Sequence, residues 1–186
     1  MSHTHRRPRL LAVAALLAAL AGLVLVAPPA SADSAGPYQI IMRNSNKCLD
    51  NTGGSSANGN PIAQWDCAAG SASNYANQVW VFDWTNNGYA RIRNVSTGKC
   101  LNVQGASTAD TARLILWTCG DAIGNDEWYG TPRSDGYYQL KVRHSLKCMD
   151  VRGASVANGA ALQQYHCYDA PNQNQFWVSA SGVAGW

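Results

Sequence analysis

The sequence contains few charged residues and a single glutamate. Asp, Glu, Lys and Arg together account for 13% of its 186 residues, and the glutamate is Glu127. A sparsely charged surface offers little attraction to phosphate backbones or anionic lipids, so we expect neither nucleic-acid binding nor membrane insertion. Glycosidases need paired carboxylates, and the aspartates inside the repeated motifs described below have a repeat-based explanation. We therefore predict a binding protein and not an enzyme.

Closely spaced metal-ligand pairs are also missing from the sequence. The six cysteines contain no C-x2-C pair, the spacing typical of zinc sites, so we predict neither a metal ion nor a cofactor. Beyond the N-terminal segment there are two histidines, His144 and His166, and neither lies near a nucleophile elbow sequence. A Ser-His-Asp catalytic site is therefore not expected.

One long apolar run is present, and it lies near the N terminus. Residues 10–26 are apolar or glycine, three arginines precede them, and Ala30-Ser31-Ala32 follows. This order is typical of a secretory signal peptide over residues 1–32, cleaved after Ala32. The run is shorter than the roughly 20 residues that a membrane-spanning helix needs. We expect a secreted, extracellular protein with a single domain over residues 33–186.

The chain after the predicted leader has no net charge. Three of the 14 basic residues lie before residue 33, whereas all 11 acidic residues lie after residue 32. A neutral surface of this kind favours a partner that is itself uncharged.

The cysteines reveal a threefold repeat. The two cysteines of each pair are 19 positions apart: Cys48 and Cys67, Cys100 and Cys119, Cys148 and Cys167. Six cysteines allow 15 connectivities, and the identical spacing favours the three local pairs, one disulfide per repeat. Export to an oxidising compartment favours disulfides over free thiols. The repeats span about residues 38–83, 89–131 and 137–179.

Each repeat consists of short apolar runs separated by turn residues such as Asn158-Gly159, without helical periodicity. We predict an all-β protein with four short strands per repeat, twelve in all. In the first repeat these strands are Tyr38–Arg43, Lys47–Asn51, Ile62–Asp66 and Gln78–Phe82. One repeat cannot bury its apolar face alone, so three copies should close a core around a pseudo-threefold axis. The predicted core anchors are Trp80, Trp128 and Trp177.

Three motifs recur along the chain. Boxes of the form Cys-[Leu/Met]-[Asp/Asn] begin at Cys48, Cys100 and Cys148, and an aromatic residue stands two positions before the second cysteine of each repeat. Gln78-Val79-Trp80 and Gln175-Phe176-Trp177 form Q-x-W endings. This combination resembles the ricin B-type lectins. The resemblance implies a β-trefoil that binds galactose-type sugars or plant polysaccharides such as xylan, with one potential shallow site per repeat.

The third repeat has the complete set of candidate sugar contacts. Residues two apart in a strand share a face, so Asp150 lies on the side of the first cysteine, and Gln163 and Tyr165 on the side of the second. The disulfide would bring carboxylate, ring and amide together. A sugar lays its C–H face on a ring while its hydroxyls bond to carboxylate and amide groups. The resemblance adds two further contacts, Asn174 and Gln175.

The other two repeats match less well. By the same resemblance the first repeat supplies four contacts, Asp50, Trp65, Asn77 and Gln78, with Ala63 where a polar residue is expected. In the second repeat Asn102, Ile115 and Asp126 replace the carboxylate, the amide and the Q-x-W glutamine, which leaves Trp117 and Asn125. We expect the sites of repeats one and three to bind and that of repeat two to be weak or silent.

Other interpretations of the same residues stay open. An aspartate after a strand cysteine often caps a turn, and an aromatic residue before a cysteine often packs. A trefoil can also act as a secreted protease inhibitor, here through the variable loop Ala68–Ala76. The Asn94-Val95-Ser96 sequon lies at a turn and accepts a glycan only in a host that glycosylates its proteins, so we assign it no function. The favoured prediction is a lectin for a neutral glycan or polysaccharide, with a separately encoded secreted enzyme or toxin as a partner left open.

Overall fold

The computed structural model describes residues 34–120, 122–134 and 136–168. This part of the chain contains eleven short strands. The strands are β1 Ser34–Gln39, β2 Cys48–Asn51, β3 Ile62–Trp65, β4 Val79–Trp84, β5 Ala90–Asn94, β6 Cys100–Val103, β7 Leu114–Trp117, β8 Glu127–Pro132, β9 Tyr138–Val142, β10 Cys148–Val151 and β11 Leu162–Tyr165. The only helical segments in these residues are short 3-10 turns: Thr52–Gly54, Tyr75–Gln78, Gln104–Ala106 and Arg152–Ala154. Over the described ranges, no helix is long and apolar enough to cross a membrane.

The strands repeat one pattern three times, which confirms the all-β, trefoil prediction. Strands β1, β4, β5, β8 and β9 pair with one another in that order, all antiparallel. The remaining strands form three hairpins, β2 with β3, β6 with β7, and β10 with β11. The hairpins share one register, since Cys48, Cys100 and Cys148 lie opposite Trp65, Trp117 and Tyr165. The predicted twelfth strand lies outside the described residues.

The first strand differs from its predicted bounds. Strand β1 begins at Ser34 and ends at Gln39, whereas the sequence suggested Tyr38–Arg43. Gly36 and Pro37 look like strand breakers, but the register of β1 against β4 shifts between Ala35 and Tyr38. Such an irregularity leaves a proline without a ladder bond to make, so the strand continues through it.

Buried apolar side chains from all three repeats form one core. Trp80 and Trp128 are both fully buried, as predicted, and each indole Nε1 donates to a carbonyl of the hairpin in its own repeat. The acceptors are the carbonyls of Leu49 and Leu101, each at 3.0 Å. Each tryptophan therefore fixes the hairpin of its repeat on the core without leaving its N–H unsatisfied. Trp177 lies outside the described residues.

The three predicted disulfides are all present. Cys48–Cys67, Cys100–Cys119 and Cys148–Cys167 have Cα–Cα distances of 5.0, 5.0 and 5.1 Å. Each bridge joins the first residue of one hairpin strand to the segment that follows its partner strand. The aromatic residue two positions before the second cysteine is the last residue of that partner strand, directly opposite the first cysteine.

Each hairpin also binds a loop of the neighbouring repeat. In strand β3 the N–H of Gln64 donates to the Ala160 carbonyl at 3.0 Å, and the Gly159 N–H donates back to Gln64 at 2.9 Å. Leu116 makes the same pair of bonds with the loop of repeat one, and Gln164 with the loop of repeat two. The hairpin of repeat one thus contacts repeat three, that of repeat two contacts repeat one, and that of repeat three contacts repeat two. A loop of another repeat therefore lies against one side of every hairpin.

Candidate functional site

A shallow pocket lies on each hairpin, at the equivalent place in the three repeats. We call them pocket one, pocket two and pocket three after the repeat that supplies the hairpin. Their volumes are about 400, 460 and 360 Å³. Pocket one is lined by Asp50, Thr52, Gly53, Trp65, Asn74 and Asn77. Pocket three is lined by Thr111, Asp150, Arg152, Gly153, Gln163, Tyr165 and Tyr168.

In pocket one a buried glutamine holds the carboxylate in place. Gln78 is fully buried, and its Nε2 donates to Asp50 Oδ2 at 2.9 Å and to the Asp66 carbonyl at 3.0 Å. Its Oε1 accepts from the Ala68 N–H at 2.8 Å. Gln78 is absent from the residues that line the pocket, so it lies behind Asp50 and orients it.

The opposite side of pocket one comes from the loop that varies between repeats. This loop ends in the 3-10 turn Tyr75–Gln78, which brings Asn77 to the pocket wall. A Cβ on Gly54 would lie 2.6 Å from Asn77 Oδ1, and Gly54 has a φ of +67°. Glycine is needed at this position because it alone allows both the backbone conformation and the close approach of Asn77.

The side chain of Asn94 holds the same 3-10 turn by hydrogen bonds to its backbone. It is fully buried, and its Nδ2 donates to the carbonyls of Ala76, Asn77 and Val79 at 3.3, 3.0 and 3.2 Å. The sequon begins at the last residue of β5 and continues into the turn that follows, and in the folded protein the buried Asn94 amide is not available to a glycan. The sequence contains no local signal for this long-range role.

In pocket three the glutamine of the hairpin itself holds the carboxylate. Asp150 and Gln163 lie opposite each other in the β10–β11 register, and Gln163 Nε2 donates to Asp150 Oδ2 at 2.7 Å. Asp150 Oδ1 and Gln163 Oε1 are buried and have no partner among the residues that the structure describes. The predicted contacts Asn174 and Gln175 lie outside those residues.

Aromatic rings form the outer part of the pockets. Trp65 is 39% exposed in pocket one, and Tyr165 is half-buried in pocket three. The ring of Tyr168 stacks on that of Tyr165, with 6.1 Å between the ring centroids. Tyr168 was missed in the sequence because the residue after the second cysteine is Ala68 in repeat one and Gly120 in repeat two.

Burial perturbs both carboxyls of these pockets. It raises the pKa of Asp50, and the hydrogen bond from Gln78 opposes the rise. For Asp150 burial raises the pKa to about 6, while the bond from Gln163 and the charge of His166 act in the opposite direction. Carboxyl groups whose pKa is raised by burial in a pocket are typical of functional sites.

A polar contact between repeats fixes the backbone beside each ring. In pocket three Asp110 Oδ1 accepts from the His166 N–H at 3.0 Å and from Lys147 Nζ at 2.7 Å. Asn58 and Asn158 accept the equivalent N–H groups of Thr118 and Asp66, at 3.2 and 2.9 Å. These residues looked like ordinary turn residues in the sequence, because a motif comparison does not show which repeat a loop contacts.

Pocket two keeps its shape although it lacks the carboxylate. It is lined by Gly59, Asn102, Gln104, Gly105, Ala106, Ile115, Trp117, Ile123 and Asn125. Asp126 Oδ2 accepts from the Gly120 N–H at 2.7 Å, which is the bond that Gln78 makes to Ala68 in repeat one. An aspartate cannot donate to a second carboxylate, so a neutral Asn102 is the compatible residue beside it.

The sole glutamate is held in ion pairs. Glu127 Oε1 pairs with Arg91 Nη2 at 2.7 Å and Glu127 Oε2 with Arg143 Nη1 at 2.6 Å. Asp126 also pairs with Arg91, at 3.2 Å. These contacts join β5, β8 and the end of β9, which gives both acidic residues a structural role.

Fold and pockets together define a β-trefoil with a pocket on the hairpin of each repeat, the architecture of a carbohydrate-binding domain. The profile of the ricin-type β-trefoil lectin domain-like family matches residues 26–74, 76–165 and 124–182. The chain belongs to this family. A comparison with curated proteins finds no match.

Solved structures agree with this assignment. The designed threefold-symmetric protein ThreeFoil is 33% identical, with a TM-score of 0.68 over 77% of this chain and 99% of that one. An exo-β-1,3-galactanase from Clostridium thermocellum is also 33% identical, with a TM-score of 0.66 over 76% of this chain but 30% of the galactanase. A ricin B-like lectin from Macrolepiota procera, solved with lactose, has the same fold at 19% identity, with a TM-score of 0.62 over 82% and 97% of the two chains.

Proposed function

We propose that this protein is a secreted, extracellular lectin that binds a neutral glycan through pockets one and three. One observation carries the proposal. In both pockets an aspartate carboxylate, oriented by a glutamine amide, lies beside a partly exposed aromatic ring. Family membership supports carbohydrate binding in general, and the pocket residues are our assignment.

The arrangement suits a sugar ring. The C–H face of a sugar packs on Trp65 or Tyr165, while vicinal hydroxyls donate to the carboxylate. In pocket three Gln163 Nε2 donates to Asp150 Oδ2, while Oδ1 has no partner among the described residues and is our candidate acceptor for a sugar hydroxyl. Gln163 Oε1 offers a second acceptor. A shallow site of this kind gives dissociation constants of about millimolar to tens of micromolar, and two sites on one polymer bind more tightly by avidity.

The sugar we favour is of the galactose type, with a xylan-like polysaccharide as the second choice. Two of the similar structures are a galactanase and a lectin solved with lactose, which supports the galactose type. We propose binding without catalysis, because Glu127 is held by two arginines and the pocket carboxylates lie in separate repeats. The matched part is 30% of the galactanase chain, so in that protein the similar domain accompanies a larger remainder. By analogy we keep a separately encoded secreted enzyme or toxin as a candidate partner of this chain.

The test is binding of the purified protein to a glycan array extended with xylan and other insoluble polysaccharides. The variant is the Asp50→Ala, Asp150→Ala double substitution, and Asp83→Ala is the matched control because Asp83 lines none of the three pockets. For glycans without an acetamido group, we expect a signal for the parent and the control and none for the double variant. An unchanged signal in a folded double variant would contradict the site assignment.

A further inference from the structure

Pocket two has a different chemistry from the other pockets. Its polar residues are two amides, Asn102 and Asn125, which are 2% and 3% exposed. Asn125 Nδ2 donates to Asn102 Oδ1 at 3.0 Å and to the Val103 carbonyl at 3.2 Å. A backbone carbonyl only accepts, so Val103 fixes which end of the Asn125 amide is nitrogen, and Asn102 must then turn its oxygen toward it.

Two polar atoms remain after these bonds are made. Asn102 Nδ2 and Asn125 Oδ1 are buried and lack a partner within the described part of the chain. A buried donor or acceptor without a partner is unfavourable, and a ligand that supplies the opposite group removes that cost. Pocket two therefore offers an uncharged donor and an uncharged acceptor, whereas a carboxylate only accepts.

The wall of pocket two is apolar. Ile115 stands where pocket three has Gln163, and Ile123 and Trp117 are 60% and 41% exposed. All three residues line the pocket, which at about 460 Å³ is larger than the other two. Apolar surface of this kind favours a ligand with a methyl group to bury.

We propose that pocket two binds a neutral sugar that carries an acetamido group, that is, an N-acetylhexosamine unit. The acetamido carbonyl accepts from Asn102 Nδ2, and the amide N–H or a neighbouring hydroxyl donates to Asn125 Oδ1. The methyl packs against Ile115 and Ile123, and the sugar ring lies on Trp117. A plain hexose lacks the methyl, and a 6-deoxyhexose has a methyl but no carbonyl beside it. The inference rests on the proposed function only in taking the ligand to be a glycan.

The experiment is a titration of the ¹⁵N-labelled protein followed by NMR. The indole N–H signals of Trp117 and Trp65 report pockets two and one separately, since both rings are partly exposed in their pockets. The probes are the methyl glycosides of N-acetylglucosamine and N-acetylgalactosamine. Methyl glucoside, methyl galactoside and methyl fucoside are the controls, the last carrying a methyl group without the amide.

We expect the acetamido glycosides to shift the Trp117 signal and the three control sugars to bind there at least about tenfold more weakly, which equals about 1.4 kcal/mol. Asn102→Asp should remove this preference because it replaces the donor with an acceptor. Trp117→Ala should abolish binding at pocket two, read from the side-chain amide signals of Asn102 and Asn125, and Trp65→Ala, the matched control, should leave it unchanged. The two tryptophan variants alter exposed side chains, so they keep the test valid if Asn102→Asp folds poorly.

Three outcomes would overturn the inference. These are shifts confined to Trp65, equal affinity of pocket two for acetamido and plain glycosides, and stronger binding of the fucoside. Failure of the proposed function looks different: Trp117 then responds to acetamido glycosides, while no glycan binds through Asp50 or Asp150.

Discussion

Pocket three should lose affinity for its sugar as the pH falls below neutral. Burial raises the pKa of Asp150 from its ordinary value near 3.8 to about 6, and the protonated carboxyl is a poorer acceptor for sugar hydroxyls. At a pKa of about 6, about 91% of the carboxyl is ionised at pH 7 and about 9% at pH 5. If the ionised form alone binds, the affinity falls about tenfold over this interval.

The charged groups around Asp150 decide how the measurement is controlled. His166 lowers the pKa of Asp150 and Asp110 raises it, and Asp110 is itself paired with Lys147. Arg152 also lines the pocket. A His166→Asn variant separates the contribution of the His166 charge from that of Asp150.

The assay is isothermal titration calorimetry between pH 7 and pH 5 on the Asp50→Ala protein, in which pocket three acts without pocket one. The ligand is the glycan without an acetamido group that gives the strongest array signal. The His166→Asn substitution in this background should keep the fall in affinity. The account is refuted by an affinity that stays constant down to pH 5, or by a fall that disappears when His166 is replaced.

Three further predictions concern stability. The folded pKa of Asp150 lies above its unfolded value, so its stabilising contribution is complete below about pH 3.8 and lost as the pH rises through about 6. Asp150→Asn should therefore raise the free energy of unfolding by about 1–3 kcal/mol at pH 7.5 and leave it unchanged near pH 4. Urea unfolding at both pH values measures the difference. Asn94→Ala should cost about 1–3 kcal/mol and weaken pocket one alone, so an equal loss of affinity in pocket three would count against it. Thr111 has a φ of +65° where the other repeats have Gly59 and Gly159, so Thr111→Gly should stabilise the protein by about 0.5–1 kcal/mol, and a lower melting temperature would contradict this.

The fold could be predicted from the sequence because the repeat makes every local signal appear three times. Equal cysteine spacing predicted the disulfide pairs that the structure contains, and turn residues between short apolar runs predicted an all-β chain of short strands. The bounds of β1 could not be predicted, since a glycine and a proline inside a strand have the composition of a turn. The backbone irregularity that admits them depends on the partner strand.

The residues of the pockets could be predicted less completely than the fold. A motif identifies Gln78 with the site, but only the structure shows that it lies behind Asp50 and orients that carboxylate. Asn94 and Asp110 act on segments that are distant in sequence or belong to another repeat, so their neighbours along the chain do not reveal them. The unpaired amide atoms of pocket two follow from side-chain orientations, which no residue spacing encodes.

The central claim is that pockets one and three each bind one neutral sugar through an aspartate. Its most direct test is the stoichiometry of binding, measured by calorimetry at pH 7.5 with the strongest array ligand that lacks an acetamido group. We predict two sites per chain for the parent, one each for Asp50→Ala and Asp150→Ala, and none for the double variant. Two sites retained in the folded double variant would contradict the account.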